Sequence, residues 1–373
     1  MTARILTVIG TRPEAVKMAP VIAELASQPG MESMVAATAQ HRHLLDQVLS
    51  VFNIQTDYDL DVMEEDQSPT DVLAQVLLRI EPVLHELKPD WVLVQGDTTT
   101  VLATALAASY AQINVGHVEA GLRTYDRQNP FPEEINRVLT DHTAILNFAP
   151  TERACQALLK EGIPSANIHL TGNTVIDALQ TIIARTPSSV METLPSFPAD
   201  KRLLLVTAHR RENFGAPLEN IIGALLELSQ RDDLQIVYPV HPNPNVQAPV
   251  TEKLADVHDI HLLPPLDYLT FVHLMKRSDL ILTDSGGIQE EATGLKVPVL
   301  VMRTVTERYE AIESGTAILV GTDTGRIVSE TNRLLDDPNA YKAMANAPNP
   351  FGDGKAAARI VKVISQACAQ GLY

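Results

Sequence analysis

Acids and bases recur along this chain just past its short apolar runs. The run Arg4–Ile9 leads into Gly10-Thr11-Arg12-Pro13-Glu14-Ala15-Val16-Lys17. A glycine turn opening a helix leaves backbone N–H groups that favour an anion, and Arg12 and Lys17 lie within about a turn and a half of that start. Thr11 and Glu14 have capping-box spacing and Pro13 suits the first turn, so Glu14 is read as a cap. Asp284-Ser285-Gly286-Gly287-Ile288-Gln289-Glu290-Glu291 is a second such junction. There, backbone N–H groups around Ser285, Gly286 and Gly287 can approach phosphate oxygens, and Glu291 can accept from a ribose hydroxyl pair. His209, flanked by Arg210 and Arg211, can donate to a phosphate. His241 opens a proline-rich loop past another run. Asp97 and Glu119 follow runs of the first half, and Pro132-Glu133-Glu134 opens a helix, where Glu134 is read as a dipole partner. Three acids near one site repel, so at least one is expected to have a raised pKa and to donate a proton.

The elements that must position these groups are legible as alternating strands and helices. Strands are expected at Arg4–Ile9, Ser33–Ala37, Trp91–Val94, Asn114–Val118, Ala144–Phe148 and Ile168–Leu170. A second series is expected at Leu203–Thr207, Gln235–Val240, His261–Leu263, Leu280–Thr283, Val297–Val301 and Ala317–Val320. Runs such as Leu203–Val206 are apolar on both faces, as strands covered by helices on each side must be. The alternation predicts doubly wound parallel sheets with right-handed crossovers. The segment Arg185–Lys201, rich in proline and serine, separates the two series. A last helix is expected at about Lys355–Ala369, its partner left open by its own pattern. Two such domains would place a ligand in the cleft between the carboxyl ends of their strands.

With 373 residues the chain exceeds one ordinary core, so two domains are the default. The net charge of −17 argues against a nucleic-acid or anionic-membrane partner recognised through bulk charge. The two cysteines, Cys155 and Cys368, form no CxxC, and no leader or membrane span is read, so a cytoplasmic setting is expected. His41 and His43 lack companions at metal-ligand spacing, so no metal is expected. Gly352-Asp353-Gly354-Lys355-Ala356-Ala357 resembles a dinucleotide fingerprint but follows no strand, and it is discounted.

Taken together, these stretches resemble the non-hydrolysing UDP-N-acetylglucosamine 2-epimerase family. The matching segments are GTRPEAVKMAP at 10–20, TAQHR at 38–42, LDQVL at 45–49, VQGDTTT at 94–100, GHVEAGLRT at 116–124 and PEEINR at 132–137. They continue with TGNTVIDAL at 171–179, HRRENFG at 209–215, YPVHPNPNV at 238–246, TDSGGIQEEA at 283–292 and TERYEA at 306–311. The resemblance implies an α/β GT-B fold: two doubly wound Rossmann-like domains facing across a cleft, with the C-terminal helix crossing back to the first. The corresponding bounds are 1–184 for the domain with the acids, 185–201 for a linker, 202–354 for the UDP-binding domain and 355–373 for the helix. It implies reversible interconversion of UDP-N-acetylglucosamine and UDP-N-acetylmannosamine, supplying mannosamine for surface polysaccharide. The C2 proton is not beside a ring carbonyl, so UDP is eliminated first to give 2-acetamidoglucal and is then re-added. The implied catalytic set is Lys17, Asp97, Glu119, Glu133 and His209. Arg12, Lys17 and His209 would hold the leaving diphosphate, while the acids handle protons and sugar hydroxyls. Ser285, Gly286 and Gly287 would grip phosphate, Glu291 the ribose and Phe271 the uracil end, with Arg308 a further cation.

No cofactor is implied, and the expected partners are the UDP-sugar and a second copy of the chain. Some bacterial members bind a second UDP-N-acetylglucosamine as an activator. Gln40, Arg210 and His241 match that candidate allosteric set, whereas His43 and Asp66 depart from its polar and basic contacts. The alternatives are a 2-epimerase for a modified sugar such as a UDP-diacetamido-uronic acid, a hydrolysing relative, a GT-B glycosyltransferase and a silent UDP-sugar-binding regulator.

Overall fold

A strand that is apolar on both faces is satisfied only between two helical layers, and the chain uses this solution twice. The computed structural model describes residues 2–38, 42–62, 67–185, 194–195, 197–198 and 200–371. The chain divides into two units, one of Met1–Gln180 with Phe351–Tyr373 and one of Thr181–Pro350. Much of the proline-rich segment 185–201 lies outside the described residues.

In the first unit the strands are β1 (Ala3–Ile9), β2 (Met31–Ala37), β3 (Tyr58–Asp59), β4 (Trp91–Gln95), β5 (Asn114–Val118), β6 (Leu146–Ala149) and β7 (Ile168–Leu170). They pair in parallel in the order β3-β2-β1-β4-β5-β6-β7. Trp91 to Val94 are fully buried between the helical layers. The expected strand at Ala144 starts two residues later, because the Ala144 N–H still closes the preceding helix on Thr140. Strand β3, two residues at the sheet edge, is an addition to the expected set.

In the second unit the strands are β8 (Arg202–Thr207), β9 (Leu234–Pro239), β10 (Ile260–Leu263), β11 (Leu280–Thr283), β12 (Val299–Val301) and β13 (Ala317–Leu319). They too are parallel, in the order β10-β9-β8-β11-β12-β13. Strand β12 begins two residues after its expected start.

Strand order reverses between β1 and β4 in the first sheet and between β8 and β11 in the second. In doubly wound sheets the crevice outside the carboxyl ends of such strands is where ligands bind. The last helix, Ala356–Ala369, belongs to the first unit. Asp177 accepts from the N–H groups of Ala356 (3.2 Å) and Ala357 (2.9 Å), so the N-terminus of that helix is already met by a carboxylate of the chain itself. No helix among the described residues is long and apolar enough to cross a membrane.

Candidate active site

Each switch point collects the chemistry-bearing side chains of its own unit. At the end of β1, Gly10 is required by close approach: a Cβ there would lie 2.7 Å from Thr38 Oγ1 and 2.8 Å from Thr100 Oγ1. Thr11 caps the helix Arg12–Ser27 by accepting the Glu14 N–H. Glu14 reaches back one residue further than a capping box requires. Its Oε2 accepts from the Gly10 N–H at 2.7 Å and its Oε1 from Thr11 Oγ1 at 2.8 Å. Burial pushes this carboxyl up to about 7 against the lowering effect of its donors, and the Asp97 charge adds to the rise.

One turn further along the helix, Lys17 is buried and ion-paired with Glu119. Glu119 also accepts from Asn173 Nδ2 at 2.9 Å, and its backbone has φ +66. Few residues other than glycine adopt that conformation without support from their surroundings. Past β4, Asp97 is ion-paired with Arg137, and its carbonyl accepts from Asn136 Nδ2 at 3.0 Å. The repulsion anticipated among the acids is thus offset by cations at Asp97 and Glu119. A neighbouring carboxyl, that of Glu14, is raised by burial.

The helix Glu133–Thr143 supplies much of this framework. Its first residue, Glu133, has a buried Oε2 with no hydrogen-bond partner, leaving an acceptor for a ligand. Its neighbour Glu134 accepts the Tyr125 N–H at 2.8 Å and the Thr124 N–H at 3.1 Å, and also meets Arg137. Glu134 is therefore a buried loop anchor, a firmer role than a dipole partner. Arg12, by contrast, is exposed at its helix start.

In the second unit Thr207 and Thr283, the last residues of β8 and β11, touch through their hydroxyls at 2.6 Å. Beyond them, fully buried Asp284 organises the turn. Its Oδ2 accepts the N–H groups of His209 (2.9 Å) and Arg210 (2.8 Å) and Asn213 Nδ2 (3.0 Å). His209 Nδ1 stands 3.3 Å from Asp284 Oδ1, and the imidazole stacks on His241 at 5.6 Å between ring centroids. Ser285 precedes the helix Gly286–Gly294 without capping it through its side chain, so the helix-start N–H groups keep their capacity for an anion. The guanidiniums of Arg210 and Arg308 converge there: a Cβ on Gly286 would lie 3.5 Å from Arg210 Nη2 and 3.6 Å from Arg308 Cζ. Glu291 is nearly buried and accepts from Tyr268 Oη at 3.0 Å, on the helix that also carries half-buried Phe271.

In the first unit the structure thus joins Lys17 to Glu119 and sets Asp97 against the helix that Glu133 begins. In the second it gathers His209, Ser285, Gly286, Gly287, Glu291 and Arg308 with Phe271 nearby. Of the candidate allosteric residues, Arg210 and His241 lie beside His209 and the Gly286 turn. Gln40 and Asp66 lie outside the described residues, and no side-chain position is assigned to His43. Sequence reading missed the roles of Asn136, Arg137, Asp141, Asn173, Tyr268 and Asp284, whose partners come from distant segments. The PEEINR and TGNTVIDAL segments did contain Asn136, Arg137 and Asn173, so a signal existed without a partner attached to it.

Among the described residues, no group of three or more His, Cys, Asp or Glu side chains is placed to hold a metal. Residues 23–365 match the family model described as UDP-N-acetylglucosamine 2-epimerase. The chain is 53% identical to the UDP-N-acetylglucosamine 2-epimerase of Salmonella typhimurium over 368 residues, covering 97% of this chain and 98% of that protein. It is equally similar, at 53% with the same coverage, to the enzyme of that name from Escherichia coli K12. Its fold superposes on the crystal structure of UDP-GlcNAc 2-epimerase from Neisseria meningitidis bound to UDP-GlcNAc with a TM-score of 0.92, at 47% identity, covering 97% of this chain and 100% of that one.

Proposed function

The chain belongs to the UDP-N-acetylglucosamine 2-epimerase family, and from that premise we propose that it interconverts UDP-N-acetylglucosamine and UDP-N-acetylmannosamine. In the forward direction the anomeric C–O bond breaks, UDP leaves with the bonding pair, and a carboxylate takes the C2 proton to give 2-acetamidoglucal. UDP then re-adds at C1 while a proton reaches C2 on the opposite face. The first unit acts on the sugar through Asp97, Glu119 and Glu133. In the first unit Arg12 and Lys17 supply charge as the diphosphate departs, the step in which charge develops, and in the second His209 is the candidate donor to phosphate. The second unit holds the nucleotide through the Ser285–Gly287 helix start, Arg308, Glu291 and Phe271. The observations that support this reading are the Lys17–Glu119 ion pair past β1 and β5, and Asp97 past β4 held by the helix that begins with Glu133.

The test is turnover of UDP-N-acetylglucosamine in deuterium oxide. Deuterium should appear at C2 in the product and in recovered substrate, with UDP retained on the sugar at equilibrium. Absence of C2 exchange, or accumulation of free N-acetylmannosamine, would overturn the assignment. The nucleotide half has its own check. Arg308→Ala removes a charged donor worth roughly 1.5–3 kcal/mol, so UDP affinity measured by calorimetry should fall about 10- to 100-fold. We further propose a homodimer working in the cytoplasm; light scattering should then give a mass near twice that of the 40.7 kDa chain.

A further inference from the structure

His117 is fully buried one residue before the end of β5, and each of its ring nitrogens faces an acceptor. Nε2 lies 2.7 Å from the Gly96 carbonyl, and Nδ1 lies 2.6 Å from Asp141 Oδ1. Two acceptors at one imidazole are both satisfied when both nitrogens carry hydrogen. The other oxygen of Asp141 accepts Arg123 Nη2 at 2.6 Å and the Gly121 N–H at 3.2 Å. Arg123 continues to Glu161 through two hydrogen bonds of 2.8 and 2.6 Å. Burial alone would raise the Asp141 carboxyl, but His117 and Arg123 hold it below the ordinary carboxylate range.

The arrangement spans both loops that carry catalytic acids. Gly96 precedes Asp97, while His117 and Gly121 flank Glu119 by two residues on either side. One carboxylate therefore pins both feet of the arch on which Glu119 takes its positive φ. Gly121 cannot be replaced without moving this foot, since a Cβ there would lie 2.4 Å from the Ala154 carbonyl oxygen. Asp141 itself rides on the helix Glu133–Thr143, which begins with Glu133 and holds Asp97 through Asn136 and Arg137. Resting on the proposed epimerase chemistry, the geometry points to His117 and Asp141 as a positioning pair that fixes Asp97 and Glu119 relative to Glu133. Neither residue is required to touch the sugar.

The pair acts through the acids, so disturbing it should slow chemistry without loosening the nucleotide. In His117→Asn one amide can still serve Asp141 but not Gly96, and in His117→Gln the reverse link is kept. Asp141→Asn keeps the shape and removes the charge. Each should lower kcat about 30- to 300-fold, with KM for UDP-N-acetylglucosamine and the Kd for UDP within about threefold of wild type. Asn147→Ala is the structural control. Asn147 is equally buried and its side chain bonds the Asp141 backbone carbonyl at 3.3 Å; its main chain pairs with that of His117 in the sheet, and alanine leaves this pairing in place. It should lower the thermal midpoint while leaving kcat within about threefold. The proposal is overturned if the soluble His117 and Asp141 variants keep wild-type kcat, or if Asn147→Ala loses as much kcat as they do. Failure of wild type itself to exchange C2 hydrogen would instead strike the epimerase reading.

Discussion

Glu119→Gln should reduce kcat by on the order of a thousandfold while UDP affinity stays within about threefold. General acid–base groups contribute typically about 10²- to 10⁴-fold, and Glu119 is the acid tied most directly to the anion-binding side of the first unit, through Lys17. Glutamine keeps the volume and can still accept from Asn173 Nδ2, so the arch should stand. What disappears is the carboxylate's proton chemistry and its ion pair. The groups proposed to grip the nucleotide, the Ser285–Gly287 helix start with Arg308, Glu291 and Phe271, belong to the other unit, and Lys17 keeps its own charge for the diphosphate when Glu119 becomes glutamine, which is why binding of UDP should be spared. Steady-state kinetics with UDP-N-acetylglucosamine and calorimetry with UDP read the two quantities separately. A kcat within tenfold of wild type would remove Glu119 from the chemistry. Asp97→Asn and Glu133→Gln extend the measurement, and if none of the three slows C2 exchange the whole acid set is misassigned.

The fold was legible because buried parallel strands have a local signature. A run such as Leu203–Val206 must be covered on both faces, and a series of such runs separated by helical patterns leaves few topologies. The errors sit where that signature fades. Strand β3 has two residues, Tyr58 half-buried and Asp59 exposed, so no periodicity marks it. Ala144 is apolar and nearly buried, yet it terminates a helix, and its residue type does not distinguish a helix end from a strand start.

The site was legible in a different way. Topology puts functional side chains past strand ends, so Asp97, Glu119, His209 and Asp284–Gly287 could be picked out along the chain. Their partners could not be. Lys17 and Glu119 are separated by 102 residues, and Arg137 and Asp97 by 40. No local pattern announces either ion pair. The positive φ of Glu119 is equally silent, and the carboxylate that meets His117 and Gly121 on either side of it belongs to Asp141, 20 residues past Gly121. Reading charge without these partners led to the expectation that the acids repel one another. In the structure Arg137 and Lys17 pair with two of those acids, and the neighbouring Glu14, assigned by sequence to capping, is a carboxyl that burial raises.

That carboxyl gives the second large effect, in stability rather than rate. Glu14 has an ordinary value of 4.5 and a folded value of about 7, raised by burial. A raised folded pKa means that the native state binds the proton more tightly than the unfolded chain does. The resulting stabilisation is full below pH 4.5 and is lost as pH rises through 7, by roughly 3 kcal/mol if no relaxation occurs. Other carboxyls work in the opposite direction: Asp141, Asp233, Glu307 and Asp353 are all held low and favour folding as pH increases. Their contribution cancels when wild type is compared with Glu14→Gln, which resembles the protonated acid and can still offer an oxygen to Gly10 and an N–H to Thr11. The variant should match wild type near pH 4.5 and exceed it by up to about 3 kcal/mol at pH 8. Trp91, the single tryptophan, is fully buried in the first sheet, so its fluorescence reports the denaturant transition of the unit that contains Glu14. A difference between the two proteins that stays constant from pH 4.5 to 8 would rule out titration of Glu14 in this range. The proton that Glu14 retains up to about pH 7 also has a functional logic. With it the carboxyl satisfies the Gly10 turn without setting a second negative charge beside Asp97, at the helix start where we propose that Arg12 and Lys17 meet the diphosphate.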